Sequence, residues 1–474
     1  MRIAVLGTGY VGLVSAACFA RAGQHVTCID IDEAKIALLR RGKVPIYEQG
    51  LHDLIAEGRR HKRLHFVSDA AAVSNADIVF IAVGTPTRAS DGHADLSQVY
   101  AAVEGLASFL KVGTIVVTKS TVPVGTGDLI EQLIRRIRPE LEFEVASNPE
   151  FLRAGRAVDD FLRPDRVVIG VDSGFAAASL MTLYRSVGVE NERILLTDRR
   201  SSELIKYAAN GFLATKIAFI NEVADLCEKV DARIGDVARG IGLDERIGAR
   251  YLQPGPGFGG SCFPKDARAL VKMGEDHEAP MRIMETVLAS NDTRKRSMAR
   301  KIAAICGGTV RGKTIALLGL TFKADTDDMR EAVSIPLAQA LIDAGSNLMA
   351  YDPVANERAK ALLPPCVRYC SSIAQAAEDA DAIVIVTDWR QFAEIDFSTL
   401  RRRMRAPIII DLRNFLDEKQ IQRDGFRYFS IGGPRRRAFE KVWPQTKSEK
   451  PLRTPGSKWT ADCDTLGQQI AAAE

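Results

Sequence analysis

Ile3 to Leu6 is a short apolar run of the buried-strand kind, and Gly7-Thr8-Gly9-Tyr10-Val11-Gly12 follows it at once. A helical pattern runs from Leu13 to a closing Gly23, and His25 to Ile29 is a second apolar run that ends at Asp30. Strand, glycine turn, helix, strand and acid in this order predict a dinucleotide-binding βαβ unit. Gly7 permits the tight turn, Gly9 lets a pyrophosphate approach the free N–H groups of the helix start, and Gly12 allows close packing. Asp30 can accept hydrogen bonds from a ribose diol and would repel a phosphate there, so NAD is expected rather than NADP.

Three more apolar runs end in polar, proline-marked loops. Asp77 to Val83 leads to Gly84-Thr85-Pro86, Thr114 to Thr118 leads to Lys119-Ser120-Thr121-Val122-Pro123, and Phe143 to Ala146 leads to Ser147-Asn148-Pro149-Glu150-Phe151. Ligands bind at the carboxyl ends of strands in open α/β sheets, so Thr85, Thr121 and Glu150 are expected to line one cleft. Ser201 to Val230 then reads as a helix buried on most sides, with the paired serines as its N-cap. Lys206 and Asn210 share one face of it. A buried lysine is costly unless paired or catalytic, so either the two point into an active site or Lys206 snorkels to the surface.

Lys313 to Gly319, Asn347 to Tyr351, Ala382 to Thr387 and Pro407 to Ile410 start the pattern again, with IALLG beside IAVLG and LMAYD beside VTCID. This half lacks the full glycine fingerprint and is expected to bind a nucleotide-like group by other means. Lys323 and Arg413, both at strand ends, could meet a diphosphate. The expected fold class is α/β, with two Rossmann-like parallel-sheet domains joined by a long central helix and a helical middle region. The expected divisions are residues 1–200, 201–300, 301–434 and a basic, flexible tail at 435–474, which Trp443 and Trp459 could dock.

At 474 residues the chain is long enough for two or three domains, and its formal net charge of +4 leaves the body without a nucleic-acid-sized basic field. The eight cysteines form no C-x-x-C pair and mostly sit in apolar runs, which suits reduced thiols in the cytoplasm rather than disulfides or zinc. No uninterrupted apolar stretch is long enough for a membrane span, and the N-terminal run reads as a strand rather than a signal peptide. Arg59 to Arg63, with His61 and His65 at helical spacing, reads as a solvated helix face, and no metal site is expected.

Between the two α/β patterns lies Tyr251 to Asp266, YLQPGPGFGGSCFPKD. Glycine and proline at this density fix a loop whose backbone passes close to something. Cys262 is either a small buried hydrophobe or a nucleophile. Lys265 and Lys206 are expected to favour its thiolate, and Asp266 offers a base or an orienter of water. A thiolate beside a nicotinamide site can add to an aldehyde and carry it through a thioester to an acid.

GTGYVG, VGTP, KSTVPVGT, NPEFLRAG, KYAANGFLATKIAFINEVA, GFGGSCFPKD, FKADTDDMR and DLRN occur together in this order. On these motifs, residues 1 to about 433 resemble the UDP-glucose/GDP-mannose dehydrogenase family, in its bacterial UDP-glucose type. The resemblance implies a four-electron oxidation of UDP-glucose to UDP-glucuronate with NAD, in a homodimer built on the long central helix, within the central helical region of residues 201–300. It makes Cys262 the nucleophile, with Lys206 stabilising oxyanions and Asn210 and Asp266 positioning or activating water. Thr121 and Glu150 resemble the residues that hold that water and the nicotinamide side of the site. Val11, Asp30, Lys35, Thr85, Lys265 and Arg330 resemble NAD contacts, and Tyr10 either packs on the cofactor or reaches the active site. Glu150, Phe151, Leu152, Arg153 and Ala154 resemble one side of a substrate clamp. Tyr251, Gln253, Pro254, Gly255, Pro256, Gly257, Gly259 and Lys323 resemble the other. Arg246 resembles an arginine that reaches the neighbouring subunit's substrate, and Arg413 one that meets the sugar nucleotide. GDP-mannose and UDP-N-acetylmannosamine are the rival substrates, and a non-catalytic nucleotide-sugar sensor is the rival class.

Overall fold

The βαβ unit expected at the N-terminus opens the computed structural model, which describes residues 1–433. Its first sheet has eight strands: β1 Arg2–Leu6, β2 His25–Ile29, β3 Leu64–Val67, β4 Ile78–Ile81, β5 Thr114–Thr118, β6 Phe143–Ser147, β7 Val167–Gly170 and β8 Ile194–Thr197. They lie in the order β3-β2-β1-β4-β5-β6-β7-β8, parallel except where β7 meets β6. The second sheet has six parallel strands: β9 Thr314–Leu318, β10 Asn347–Tyr351, β11 Arg368–Tyr369, β12 Ala382–Ile385, β13 Ile408–Asp411 and β14 Arg427–Ser430. Its order, β11-β10-β9-β12-β13-β14, repeats that of β3-β2-β1-β4-β5-β6. The register repeats too: Leu6 pairs with Ile29 as Leu318 pairs with Tyr351. The internal likeness of the two halves is therefore one of topology.

β4 and β12 are buried along their whole lengths, which is why they read as unbroken apolar runs. Helices cover both faces. On one face of the first sheet Phe19 stacks on Phe80 with ring centroids 5.2 Å apart, and Phe161 and Tyr184 close around them. Each such fully buried side chain contributes roughly 1.5–3 kcal/mol of burial free energy.

The long helix spans Arg199–Val230. Its N-cap is Asp198, whose carboxylate accepts from the Ser201 N–H at 2.8 Å, so the cap lies upstream of the serines expected to supply it. Helices Phe263–Asp276 and Arg282–Ile305 pack on it, and all these elements belong to one compact unit with both sheets. The cysteine loop is shorter than expected, because Lys265 and Asp266 already lie in the first turn of the 263–276 helix. Helix Leu51–Arg60 stops before His61, and His65 lies in β3, so the two histidines do not share a helix face. No group of potential metal ligands occurs among the described residues, and no described helix is long and apolar enough to cross a membrane. The expected tail, with Trp443 and Trp459, lies outside the described residues.

Candidate active site

The glycine turn has a shape that fits a dinucleotide. Gly7 has φ +96°, and a Cβ there would lie 2.6 Å from the Ala82 carbonyl oxygen. A Cβ on Gly12 would lie 1.9 Å from the Gly7 carbonyl oxygen, so Gly12 packs the helix on the turn itself. Gly9 is the N-cap of helix Tyr10–Arg21 and supplies no side-chain cap. A Cβ on it would meet nothing within 4 Å, which leaves the helix start open to an anion. Asp30 accepts from the Thr8 N–H at 2.7 Å and hydroxyl at 2.6 Å, and Lys35 Nζ stands 3.3 Å away. Burial pushes this carboxyl up, but those hydrogen bonds and Lys35 hold it below its ordinary range. Ile31, next to it, is 95% exposed and offers an apolar wall that the sequence reading did not single out.

Val11 is half-buried and packs on the core of the first sheet. The Tyr10 hydroxyl accepts from the Gly155 N–H at 2.7 Å, so the phenol meets the loop after β6. Glu48, also unforeseen, accepts from the Gly155 and Ala157 N–H groups at 2.7 Å each. Burial raises its carboxyl overall, against the pull of those N–H groups. Thr85 and Thr121 are both buried and joined, the Thr85 hydroxyl donating to the Thr121 carbonyl at 2.9 Å.

The long helix brings Lys206 and Asn210 inward. Lys206, 3% exposed, donates from Nζ to the Glu150 carbonyl at 2.6 Å and lies 3.2 Å from Glu150 Oε1. Snorkelling is excluded. Burial alone would lower its ammonium, but Glu150, Cys262 and Asp266 outweigh that and raise it, so it stays charged. Asn210 donates from Nδ2 to Asp266 Oδ2 at 2.6 Å.

Cys262 is the N-cap of the 263–276 helix, with Pro264 in the first turn. Its thiol is pushed above its ordinary value, first by burial, then by Glu150, with Lys206 pulling the other way and Asp266 adding to the rise. This corrects the expectation of a favoured thiolate. Lys265 Nζ lies 2.5 Å from Asp266 Oδ1. Arg330 Nε and Nη2 bind the Asp328 carboxylate at 2.7–3.1 Å, and the guanidinium lies within electrostatic reach of Cys262.

In the segment after Glu150, the Leu152 N–H donates to Glu150 Oε2 at 2.5 Å, and Ala154 is half-buried. Arg153 is held by Asp160, while Phe151 lies under the Arg166 guanidinium at 3.6 Å. Lys323 is lowered by burial and then by Arg153, and it too lies within electrostatic reach of Cys262.

The loop from Tyr251 to Gly260 is held by side chains that sequence reasoning missed. Asn221 of the long helix accepts from the Gly255 N–H at 2.8 Å. Arg294 donates to the Gly255 carbonyl at 2.6 Å, and Asn291 bonds both the N–H and the carbonyl of Phe258. Gly257 has φ +121°, and a Cβ on Gly259 would lie 2.3 Å from the Glu331 carbonyl oxygen. Pro254 and Pro256 are buried, and Tyr251 meets Phe263 edge-on. Gln253 reaches the Arg413 carbonyl at 3.4 Å. Arg413 itself donates to the Val386 and Phe322 carbonyls at 2.7 and 2.9 Å, with Nη1 beside Gly255. Arg246 is apart from all of these, its side chain 89% exposed and paired with Asp244.

The second sheet has its own acid at the end of β10. Asp352 Oδ2 accepts from the Leu320 N–H at 2.7 Å and from Trp389 Nε1 at 3.3 Å, and the residue is 2% exposed. The position that Asp30 keeps near the surface is thus closed by protein in this half.

Models of the UDP-glucose/GDP-mannose dehydrogenase family match along the chain. The NAD binding domain matches residues 1–188, the central domain 200–293 and the UDP binding domain 316–418. The chain is 53% identical over 439 residues to a UDP-glucose 6-dehydrogenase of Rhizobium meliloti, covering 92% of this chain and 100% of that one. It is 46% identical to a UDP-glucose 6-dehydrogenase of Pseudomonas aeruginosa, over 92% and 98% of the two. A solved UDP-glucose dehydrogenase from Pyrobaculum islandicum superposes with a TM-score of 0.83 at 37% identity, over 91% of this chain and 98% of that one. The chain belongs to the UDP-glucose/GDP-mannose dehydrogenase family.

Proposed function

We propose that the protein oxidises UDP-glucose at C6 to UDP-glucuronate, with NAD as oxidant and Cys262 as nucleophile. The observation that carries this reading is the meeting of Cys262 with Lys206, Asp266 and Glu150, at the carboxyl ends of strands whose first turn fits a dinucleotide. NAD, when bound, supplies the electron acceptor for both oxidations. Gly7, Gly9 and Gly12 shape its phosphate site, Asp30 and Lys35 face its ribose, and Thr85, Thr121, Val11 and Tyr10 line the rest. Asp30 in that place favours NAD over NADP.

Lys206 stabilises negative charge as it develops on the C6 oxygen. Once the aldehyde stands at C6, Cys262 Sγ bonds to that carbon and the thiol proton ends on the C6 oxygen, giving a thiohemiacetal. The thiolate is the attacking form, and Lys206 is the cation that favours it against burial. The second oxidation leaves a thioester on Cys262. Asn210 and Asp266 orient a water, with Thr121 and Glu150 on its other side; attack at the thioester carbon frees the acid and returns the proton to sulfur. Glu150 to Ala154, Tyr251, Gln253 to Gly257, Gly259, Lys323 and Arg413 clamp the nucleotide sugar. A thiol with this task needs a reducing compartment such as the cytoplasm.

The proposed divisions of labour are residues 1–200 for the cofactor, 201–300 for the thiol and the subunit contact, and 301–434 for the UDP group. The long helix leaves Leu204, Phe212, Phe219 and Leu226 at 45%, 67%, 56% and 58% exposure, spaced by one heptad or about one, as an apolar stripe. A homodimer on this stripe supplies Arg246 to the neighbour's site.

Turnover on UDP-glucose, GDP-mannose and UDP-N-acetylmannosamine tests the substrate. UDP-glucose is expected to give the highest kcat/KM; a higher value for either rival overturns the assignment.

A further inference from the structure

Glu203 lies one turn before Lys206 on the long helix and is 2% exposed. Its carboxylate reaches across to the loop after β5. Oε2 accepts from the Gly125 N–H at 2.6 Å, and Oε1 from the Gly127 N–H at 2.8 Å. Those N–H groups open the helix Thr126–Ile137, whose N-cap is Gly125 with φ +90° and no side-chain cap. The cap that this helix lacks in its own sequence comes instead from another element. Thr121 stands four residues before Gly125, and its carbonyl holds the Thr85 hydroxyl. Glu203, Lys206 and Asn210 recur at helical spacing on one face. That face therefore grips the strand end of β6 through Lys206 and the strand end of β5 through Glu203.

We propose that Glu203 is a positioning residue for the reaction: it fixes the Thr121 loop against the helix that carries Lys206 and Asn210. Burial pushes the Glu203 carboxyl up to about 7, against the pull of the two N–H groups. A carboxylate is kept there at a cost that a hydrophobic contact would avoid. Gly127 leaves room for it, since a Cβ there would lie 3.2 Å from Oε1.

Two variants test this from opposite sides. Glu203→Gln keeps shape and volume but turns an amide N–H₂ toward one of the two backbone N–H groups. Gly127→Ala changes no residue of the long helix, favours the 126–137 helix, and brings a Cβ to 3.2 Å from Oε1 and 3.4 Å from Arg199 Cδ. Steady-state kinetics with UDP-glucose and NAD are measured beside calorimetric binding of UDP-glucose and thermal unfolding. Glu203→Gln should lower kcat about tenfold, and Gly127→Ala a few-fold, while the dissociation constant for UDP-glucose stays within about twofold of wild type. A purely structural cap would lower the unfolding temperature and leave kcat of the folded enzyme unchanged, and that result in both variants overturns the proposal. Loss of UDP-glucose binding in step with kcat overturns it too. If Glu203→Gln does not fold, Gly127→Ala decides. Because the role of Thr121 comes from the functional reading above, wild-type turnover is the control. No wild-type turnover overturns that reading, whereas wild-type rates in both variants overturn only the role of Glu203.

Discussion

Lys206 meets Glu150 twice, donating from Nζ to its backbone carbonyl at 2.6 Å and lying 3.2 Å from its side-chain oxygen. The ammonium is thereby held charged inside the fold, away from solvent and within electrostatic reach of Cys262. Lys206→Ala should lower kcat by roughly 10²–10³-fold, the usual cost of removing one oxyanion donor. Lys206 is also the cation that draws the Cys262 thiol down. Its removal should therefore move the pH profile of iodoacetamide labelling at Cys262 to higher pH. A profile that stays in place would contradict that influence of Lys206 on the thiol.

Asn210 donates to Asp266 at 2.6 Å. If the pair serves the water step, Asp266→Asn should complete both oxidations once and then stall. Intact-mass measurement after mixing with UDP-glucose and NAD should find the sugar nucleotide bound to Cys262. Free enzyme alone, with turnover lowered equally from the first cycle, would place Asp266 elsewhere in the reaction.

Lys119, between Thr118 and the Ser120-Thr121 turn, is buried among Phe80, Phe161 and Tyr184 and donates to Asn148 Oδ1 at 3.0 Å. Burial lowers its ammonium from 10.5 to about 7. Between those values the folded chain binds fewer protons than the unfolded one, so stability rises with pH, and the contribution is lost progressively as pH falls from 10.5 to about 7. Lys119→Met should remove that slope. Wild type should gain on the variant by up to about 3 kcal/mol from pH ~7 to ~9, seen as diverging unfolding midpoints. Parallel midpoints would mean that the amine is not depressed.

Phe212 and Phe219, one heptad apart, are exposed on the long helix. Phe219→Asp should convert a dimer to monomers in sedimentation velocity and lower activity through loss of Arg246 from the neighbouring copy. An unchanged sedimentation coefficient would put the subunit contact elsewhere.

Most strands at the centre of both sheets were legible because they are buried on both faces and so leave unbroken apolar runs; Val167–Gly170, equally buried, was missed, its apolar run being only Val167-Val168-Ile169. Ile194–Thr197 at the edge was missed too: its run, Ile194-Leu195-Leu196, is equally short, and Leu195 and Leu196 are exposed. Lys206, Asn210, Glu150, Cys262 and Asp266 were each legible as a chemical type out of place, and the fold brings them together. The thiol's protonation was not legible. Lys265 is near in sequence but spends its charge on Asp266, while Glu150, over a hundred residues away, presses on the sulfur. Glu48, Glu203, Asn221, Asn291 and Arg294 were also hidden. Each sits in a loop or a mixed-polarity helix, and what marks it is a backbone group elsewhere in the chain that it satisfies.

The central claim is that Cys262 takes C6 from the aldehyde through the second oxidation to the acid, so that both oxidations finish in one site. The most direct measurement is the amount of NADH formed per UDP-glucose consumed, in wild type and in Cys262→Ser. Wild type should form two NADH per sugar and release only the acid, while Cys262→Ser should show no sustained turnover. One NADH per sugar with free aldehyde in wild type, or full turnover in the serine variant, would contradict the account.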